Sequence, residues 1–444
     1  MIFHPSIETM SLSGLRKVQN QRLQDLVRKL YATVPFYKRK LDEANISPNQ
    51  IKRVEDLHLL PFTHKSDLRD NYPFGLFTMP VENVMRIHAS SGTTGKPTVV
   101  GYSKNDIEIF STVVARSLAA AGGQPGMMLQ NAYGYGLFTG GLGLHYGAEM
   151  LGMTVVPVSG GMTDRQLLLL QDFKPQMISC TPSYAQTLAE EILKRGIDVK
   201  ALKLRYAVLG AEPWTEAVRL EVETKLNVTA TNIYGLSEII GPGVSQEDFE
   251  EKGTGSYVWE DHFFPEVVDK DSGEPLLHGK QGVLVFTTLT KEAMPLMRYW
   301  TNDITHLYYD PSGKRTHIKM GPIVGRADDM LIIRGVNLFH TQVEYLFHHV
   351  SGLSANYQLI VTREGTMDEV EVVVEINDAF ARQNGMQTFD IKSLPESLVL
   401  LRDSLITKIK DSIGLSMKVT LLPPGTIARS EGGKLSRIKD LRKG

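Results

Sequence analysis

Between Ser103 and Glu238 the sequence alternates short apolar runs with helical patterns, and this alternation restricts the possible folds more than any other feature. The runs Val155–Val158, Gln176–Cys180, Arg205–Leu209 and Val228–Ile233 have the length of strands. Patterns with helical spacing, such as Tyr184–Lys194 and Thr215–Leu226, separate them. Strands alternating with helices imply a largely parallel sheet covered on both faces. Ser103 with Asp106 reads as a capping box that opens a helix, and Gly122 and Gly123 follow its end. The expected fold class is therefore α/β, with parallel-rich sheets in a large N-terminal domain.

The pattern changes after Gly241. Gly282–Leu289 is strand-like, and Asp271-Ser272-Gly273 and Asp310-Pro311-Ser312-Gly313 read as turns. These mark a β-rich subdomain over about residues 242–327. A smaller α+β domain is expected from 328 to 444, leaving 1–327 as the large one. It holds an apolar run (Met330–Ile333), a helix around Val343–His348, a strand (Val370–Ile376), a helix (Leu398–Ile413) and a strand (Lys418–Leu422). A length of 444 residues supports this division, because single hydrophobic cores stop growing well below that size. At the other end Leu15, Val18, Leu23, Leu26, Val27 and Leu30 sit at helical spacing before Pro35, as one amphipathic helix.

A formal net charge of −2 gives no field to draw in nucleic acid. Cys180 is the single cysteine, which excludes an internal disulfide and a cysteine-rich zinc site and fits a reducing compartment. Met1-Ile2-Phe3-His4-Pro5 lacks the order of a signal peptide, so a cytoplasmic protein is expected. The longest uncharged stretch, Ser117–Ala148, contains nine glycines and one proline and would make a poor membrane helix. No membrane partner is expected. His340, Glu344 and His348 lie at helical spacing with His349 adjacent; such clusters are mostly a solvated or partly packed face rather than a metal site.

The strongest local signal is Ser90-Ser91-Gly92-Thr93-Thr94-Gly95-Lys96-Pro97-Thr98. Glycines let backbone N–H groups approach phosphate oxygens, hydroxyls donate further hydrogen bonds, and the lysine supplies charge. It is not a Walker loop: Ser90 stands where the first glycine belongs, and Pro97 where Ser or Thr must follow the lysine. A flexible hairpin turn is the alternative for this stretch taken alone.

The stretch resembles the phosphate loop of the adenylate-forming enzymes, the acyl-CoA synthetases and their relatives. Further motifs follow in the same order: Tyr234-Gly235-Leu236-Ser237-Glu238, Tyr299-Trp300-Thr301-Asn302-Asp303, Gly325-Arg326-Ala327-Asp328-Asp329, Arg334-Gly335-Val336-Asn337, then Arg429 and Gly433-Lys434. Within that superfamily the chain looks like the phenylacetate–CoA ligases. Asn131-Ala132-Tyr133-Gly134-Tyr135-Gly136-Leu137-Phe138-Thr139-Gly140-Gly141, Gly210-Ala211-Glu212-Pro213-Trp214 and Glu260-Asp261-His262-Phe263 carry that narrower match.

The resemblance implies an ATP-dependent ligase that activates a small acid, with an aryl acid such as phenylacetate expected, and passes the acyl group to coenzyme A, with release of AMP and pyrophosphate. It assigns Ser90, Ser91, Gly92, Thr93, Thr94, Gly95 and Lys96 to the ATP phosphates, Ser237 to the α-phosphate and Glu238 to Mg2+. Ala211, Glu212 and Pro213 would line the adenine site, with Asn232, Tyr234 and Gly235 near it. Asp303 would hold the ribose hydroxyls with help from Arg326; an ordinary surface ion pair is the other reading of these two. Tyr135, Phe138, Gly210 and Ile233 would form the acyl pocket, and plain core is the alternative for both aromatics. Lys434 would be the catalytic cation, carried on a mobile C-terminal domain that turns about Asp328. Gly335, Val336 and Asn337 would line the path of coenzyme A. Near relatives read Arg-Ser-Glu-Gly-Lys before that lysine, whereas this chain has one glycine more, Gly432-Gly433. His262 fits the family pattern as a structural residue or one near the substrate entrance. An aliphatic or hydroxy acid, a carrier-protein acceptor, and a module that binds nucleotide without catalysis are the competing functions. A homodimer is common among similar enzymes.

Overall fold

The computed structural model describes residues 1–90, 97–327, 331–333, 336–347, 350–364, 367–429 and 437–442. Helix α1 (Leu12–Thr33) starts at Ser11, whose hydroxyl accepts the Gly14 N–H, and ends before Pro35. Its buried stripe is Leu15, Leu23, Leu26, Val27 and Leu30. Gln19 is buried as well, donating to the Glu260 carbonyl at 3.0 Å, while the expected Val18 is only half-buried.

The hairpin β1 (Arg86–Ser90) and β2 (Thr98–Tyr102) pairs antiparallel, with Ser90 opposite Thr98. Short helix α2 (Lys65–Asp70) precedes it, and α3 (Lys104–Ala120) follows. The predicted capping box is present at α3: the Ser103 hydroxyl accepts from Asp106 N, and Asp106 accepts from Ser103 N.

The large sheet contains β3 (Met128–Asn131), β4 (Thr154–Val156), β5 (Met177–Cys180), β6 (Tyr206–Gly210), β7 (Thr229–Leu236), β8 (Gly241–Glu247) and β9 (Ser256–Val258). Strand order runs β4-β3-β5-β6-β7 in parallel and continues antiparallel through β8 and β9. The parallel half is the arrangement that the alternation predicts, with boundaries shifted by a residue or so. Helices α4 (Thr139–Leu151), α5 (Pro182–Lys194) and α6 (Glu216–Leu226) join its strands.

The uncharged stretch Ser117–Ala148 is part of this core: it closes α3, forms β3 and opens α4. Its glycines allow helix on helix at close range. A Cβ on Gly147 would stand 2.3 Å from Val114 Cγ1 of α3.

The β-rich region adds β10 (Phe263–Val268), β11 (Gly282–Thr288), β12 (Tyr299–Thr305), β13 (Leu307–Tyr308), β14 (Lys319–Met320) and β15 (Gly325–Arg326). Strands β10-β11-β12-β15 make an antiparallel sheet, and β13-β14 extend the large sheet beyond β9. Buried ion pairs fasten this region to the rest. Arg315 lies against Glu8 at 2.7 Å and Asp248 at 2.5 Å, and Arg116 against Asp261 at 2.8 Å.

A separate hydrophobic core defines the C-terminal domain. Its strands are β16 (Leu331–Ile333), β17 (Val336–Leu338), β18 (Leu353–Glu364), β19 (Met367–Ile376), β20 (Lys418–Leu422) and β21 (Ile438–Asp440). The order β20-β19-β18-β21 is packed by α7 (His340–Phe347) and α8 (Glu396–Ile413). Among the described residues it meets the N-terminal domain through both apolar and polar contacts: Ala355 packs into an N-terminal cluster. Glu190 of α5 accepts from Arg429 Nε at 3.0 Å and from Asn356 at 3.2 Å, and Thr341 donates to the Val324 carbonyl at 2.6 Å.

Candidate active site

The carboxyl ends of the parallel strands gather the predicted residues along one edge of the sheet. Asn131 ends β3, Cys180 ends β5, Gly210 ends β6, and Ser237 and Glu238 follow β7. The chain runs from β3 outward to β4 and then returns to the other side of β3 with β5, so strand direction of travel reverses between β3 and β5. Open α/β sheets bind ligands at such a reversal. Here the Asn131 amide donates to the Tyr135 hydroxyl at 2.8 Å and to the Gly141 carbonyl at 2.8 Å, while its oxygen accepts from Ser179 Oγ at 3.0 Å.

Tyr135 is half-buried, and its hydroxyl also contacts His145 Nδ1 at 3.2 Å. Burial pushes the phenol up to about 12. Phe138, at the start of α4, keeps 39% of its surface exposed, so it is not plain core. Gly210 stands opposite Ile233 in the β6–β7 register. A Cβ there would lie 2.1 Å from the Ile233 carbonyl oxygen, so this closeness requires glycine. Ile233 itself is buried.

Ala211 has a left-handed φ of 70°, a conformation costly for a residue with a Cβ and frequent at ligand sites. The next residue, Glu212, turns its carboxylate to the N-terminus of α5, accepting from Ser183 N at 3.2 Å and Ser183 Oγ at 3.0 Å. Its side chain therefore shapes the Ala211–Pro213 turn. Asn232 N donates to Glu247, which is itself held by Arg219.

Tyr234, expected near the adenine, and Asp303, expected at the ribose, are in contact: the phenol donates to Asp303 Oδ2 at 2.5 Å. Burial and the Asp303 charge hold the Tyr234 hydroxyl well above its ordinary range, so it remains a donor. Arg326 lies across from Asp303 in the β12–β15 register, with NH1 4.0 Å from Oδ1.

Ser237 is buried, its Oγ 3.0 Å from Thr139 Oγ1 at the first turn of α4. Glu238 is buried too. Its Oε1 lies 3.5 Å from Lys65 Nζ of α2, and its backbone carbonyl accepts from Lys291 Nζ at 3.1 Å. Burial and the Glu238 charge raise the Tyr299 phenol. Thr139, Lys65 and Lys291 stand outside the motifs read as functional or, for Thr139, had no role in them. Spacing offers no signal for the two lysines, which reach Glu238 from far along the chain.

Ser90 ends β1 and Pro97 precedes β2, so the hairpin fixes both ends of the predicted phosphate loop. Ser91–Lys96, Asp328, Gly335 and Lys434 lie outside the described residues. Val336 and Asn337 begin β17. His348 and His349 also lie outside, and His340 Nδ1 contacts the Tyr357 hydroxyl at 2.8 Å. Among the described residues no group of three or more His, Cys, Asp or Glu side chains is placed to hold a metal. His262 is buried between Asp261 and Thr290, and burial pulls it down to about 4.

The family model of the AMP-binding enzymes matches residues 19–290, and that of the AMP-binding enzyme C-terminal domain matches 335–442. The phenylacetate-coenzyme A ligase of Thermus thermophilus is 62% identical over 446 residues, covering 100% of both chains. A crystal structure of 2-hydroxyisobutyryl-CoA ligase in the postadenylation state, with 2-HIB-AMP, superimposes with a TM-score of 0.91 at 27% identity, covering 99% of this chain and 92% of that one. The same ligase with 2-HIB-AMP and CoA in its thioesterification state gives 0.72 at the same identity and coverage. This chain therefore superimposes more closely on the postadenylation form of that ligase than on its thioesterification form. The chain belongs to the phenylacetate–CoA ligase family of the AMP-binding enzymes.

Proposed function

We propose that this chain activates phenylacetate, or an aryl acid of the same shape, as its acyl-adenylate and transfers the acyl group to coenzyme A. The observation that carries the reading is full-length identity of 62% to a phenylacetate-coenzyme A ligase. In the first step an acid oxygen attacks the α-phosphorus of ATP and pyrophosphate leaves. In the second the thiol sulfur of coenzyme A attacks the acyl carbon, loses its proton, and AMP leaves.

Two anions meet in the first step, so fixed donors and cations must offset the charge that develops. Ser237 and the 90–96 loop serve the phosphates in this reading, and Lys434 supplies the cation between acid and α-phosphate. Asp303, held by Tyr234, accepts the ribose hydroxyls, with Arg326 beside it. The Ala211–Pro213 turn, with Asn232 and Gly235 near it, borders the adenine. Tyr135, Phe138, Gly210 and Ile233 enclose the ring. Asp328 is the hinge, and Gly335, Val336 and Asn337 border the pantetheine arm.

Mg2+ belongs with Glu238. One buried carboxylate is a sparse set, and it fits an ion that keeps several waters and shares the substrate phosphates. When bound, Mg2+ neutralises phosphate charge. No helix among the described residues is long and apolar enough to cross a membrane. A cytoplasmic site of action and a homodimer complete the proposal.

The test is acid-dependent ATP–pyrophosphate exchange across aryl, aliphatic and hydroxy acids, followed by product analysis with coenzyme A. Phenylacetate should give the fastest exchange, with AMP and the acyl-CoA as products. A faster hydroxy or aliphatic acid, or transfer only to a carrier-protein thiol, would refute it.

A further inference from the structure

The turn that carries Ser237 and Glu238 rests on buried side chains to which the motifs assign no role. Lys291 is 3% exposed, and its ammonium donates to the Glu238 carbonyl at 3.1 Å. The same ammonium lies 4.9 Å from the centre of the Tyr102 ring. Tyr102 is fully buried, and its hydroxyl donates to the Ile240 carbonyl at 2.9 Å, with the Ser237 carbonyl at 3.4 Å. Two side chains thus grip the backbone of one turn from beneath.

The grip continues to the β1–β2 hairpin. Tyr102 closes β2, and its ring meets His88 of β1 edge-on at 5.5 Å. His88 lies two residues before Ser90, and its Nδ1 contacts the Leu137 carbonyl at 3.0 Å. From the other side Asp106 accepts from Glu292 N at 2.6 Å and Ala293 N at 2.9 Å, which fixes the segment that bears Lys291.

Burying an ammonium costs stability, and an apolar side chain of similar volume is often neutral or favourable in its place. Lys291 nevertheless has its charge directed at a carbonyl of the site, with Asp106 and Glu238 as the acidic groups acting on it. We propose that Lys291 is a positioning residue for adenylation: with Tyr102 it holds the Ser237–Glu238 turn and the β1–β2 hairpin in one fixed relation, so that both meet the triphosphate together. This rests on the proposed reading of Ser237 and Glu238 as the α-phosphate and magnesium residues.

The experiment compares the full-length chain with Lys291→Met, which keeps the length of the stem, and Tyr102→Phe, which keeps the ring and removes the hydroxyl. Each half-reaction is followed separately: acid-dependent pyrophosphate exchange, and thioester formation from acyl-adenylate supplied with coenzyme A. Circular dichroism and thermal unfolding report the folded fraction. Because displacement of a reacting group by about 1 Å costs about 100-fold in rate, K291M should lose about that much in kcat for exchange. KM for the acid and thioester formation should stay within about threefold, and Y102F should lose about tenfold in exchange. Equal loss in both half-reactions, or undiminished exchange in folded K291M, overturns the assignment. Absence of exchange in the parent chain would instead overturn the adenylation reading on which it rests.

Discussion

The N-terminal segment and the C-terminal domain are both joined to the central body by arginine–carboxylate contacts, but of different kinds. Arg315 reaches Glu8 and Asp248 where all three side chains are essentially out of water. Arg429 reaches Glu190 where both partners keep about a quarter of their surface exposed. Removing one member of a buried pair strands its partner, whereas water readily replaces a member of an exposed pair. The first junction should therefore be much costlier to break than the second.

The largest effect should come from breaking the buried junction. Arg315→Met leaves Glu8 and Asp248 buried without their guanidinium and should cost about 3–5 kcal/mol in urea unfolding. A loss below 1 kcal/mol would end the comparison.

The second effect lies within the C-terminal domain. Burial pushes Glu344 up to about 7, against Arg437, with the Tyr357 hydroxyl 3.2 Å away. The folded chain keeps this proton between about pH 4.5 and 7, where the unfolded chain has lost it. Stability therefore falls as pH rises through that window, and the full penalty is present above pH 7. Glu344→Gln should stabilise the domain by about 1–3 kcal/mol at pH 8 and change little at pH 4, measured by unfolding at each pH. Burial and Arg437 pull His340 down to about 4, which gives a slope of opposite sign, so variant and parent must be compared at the same pH.

The smallest effect on stability should come from Glu190→Gln, within about 1 kcal/mol. Protease cutting between residues 327 and 340 should nonetheless rise, because one contact between the two domains is weakened. Equal cutting of variant and parent would show that Glu190 does not help hold the domains together.

What the sequence revealed follows from which interactions are local. Strand β20 was legible to the residue, and the Ser103 capping box was legible because both partners lie within one turn. The site motifs were legible as contiguous runs, but the contact between Tyr234 and Asp303, far apart in the chain, was not. Helix α4 was not, because Thr139–Leu151 contains four glycines, which disfavour a helix by propensity; it forms because Gly147 lets α3 approach. Long-range pairing was silent as well. Nothing near Glu8 announces Arg315, and nothing near Glu238 announces Lys65 or Lys291.

Cys180 ends β5 inside the core, and burial there raises its thiol far above the usual range. An acyl-adenylate is a strong acylating agent, and an ionised thiol nearby would capture it. The chain's sole sulfhydryl is kept neutral and out of reach, so the enzyme is protected from acylating itself on sulfur. For the same reason a thiol-specific dye added to the native enzyme should count only coenzyme A, allowing ligation to be followed continuously as sulfhydryl disappears.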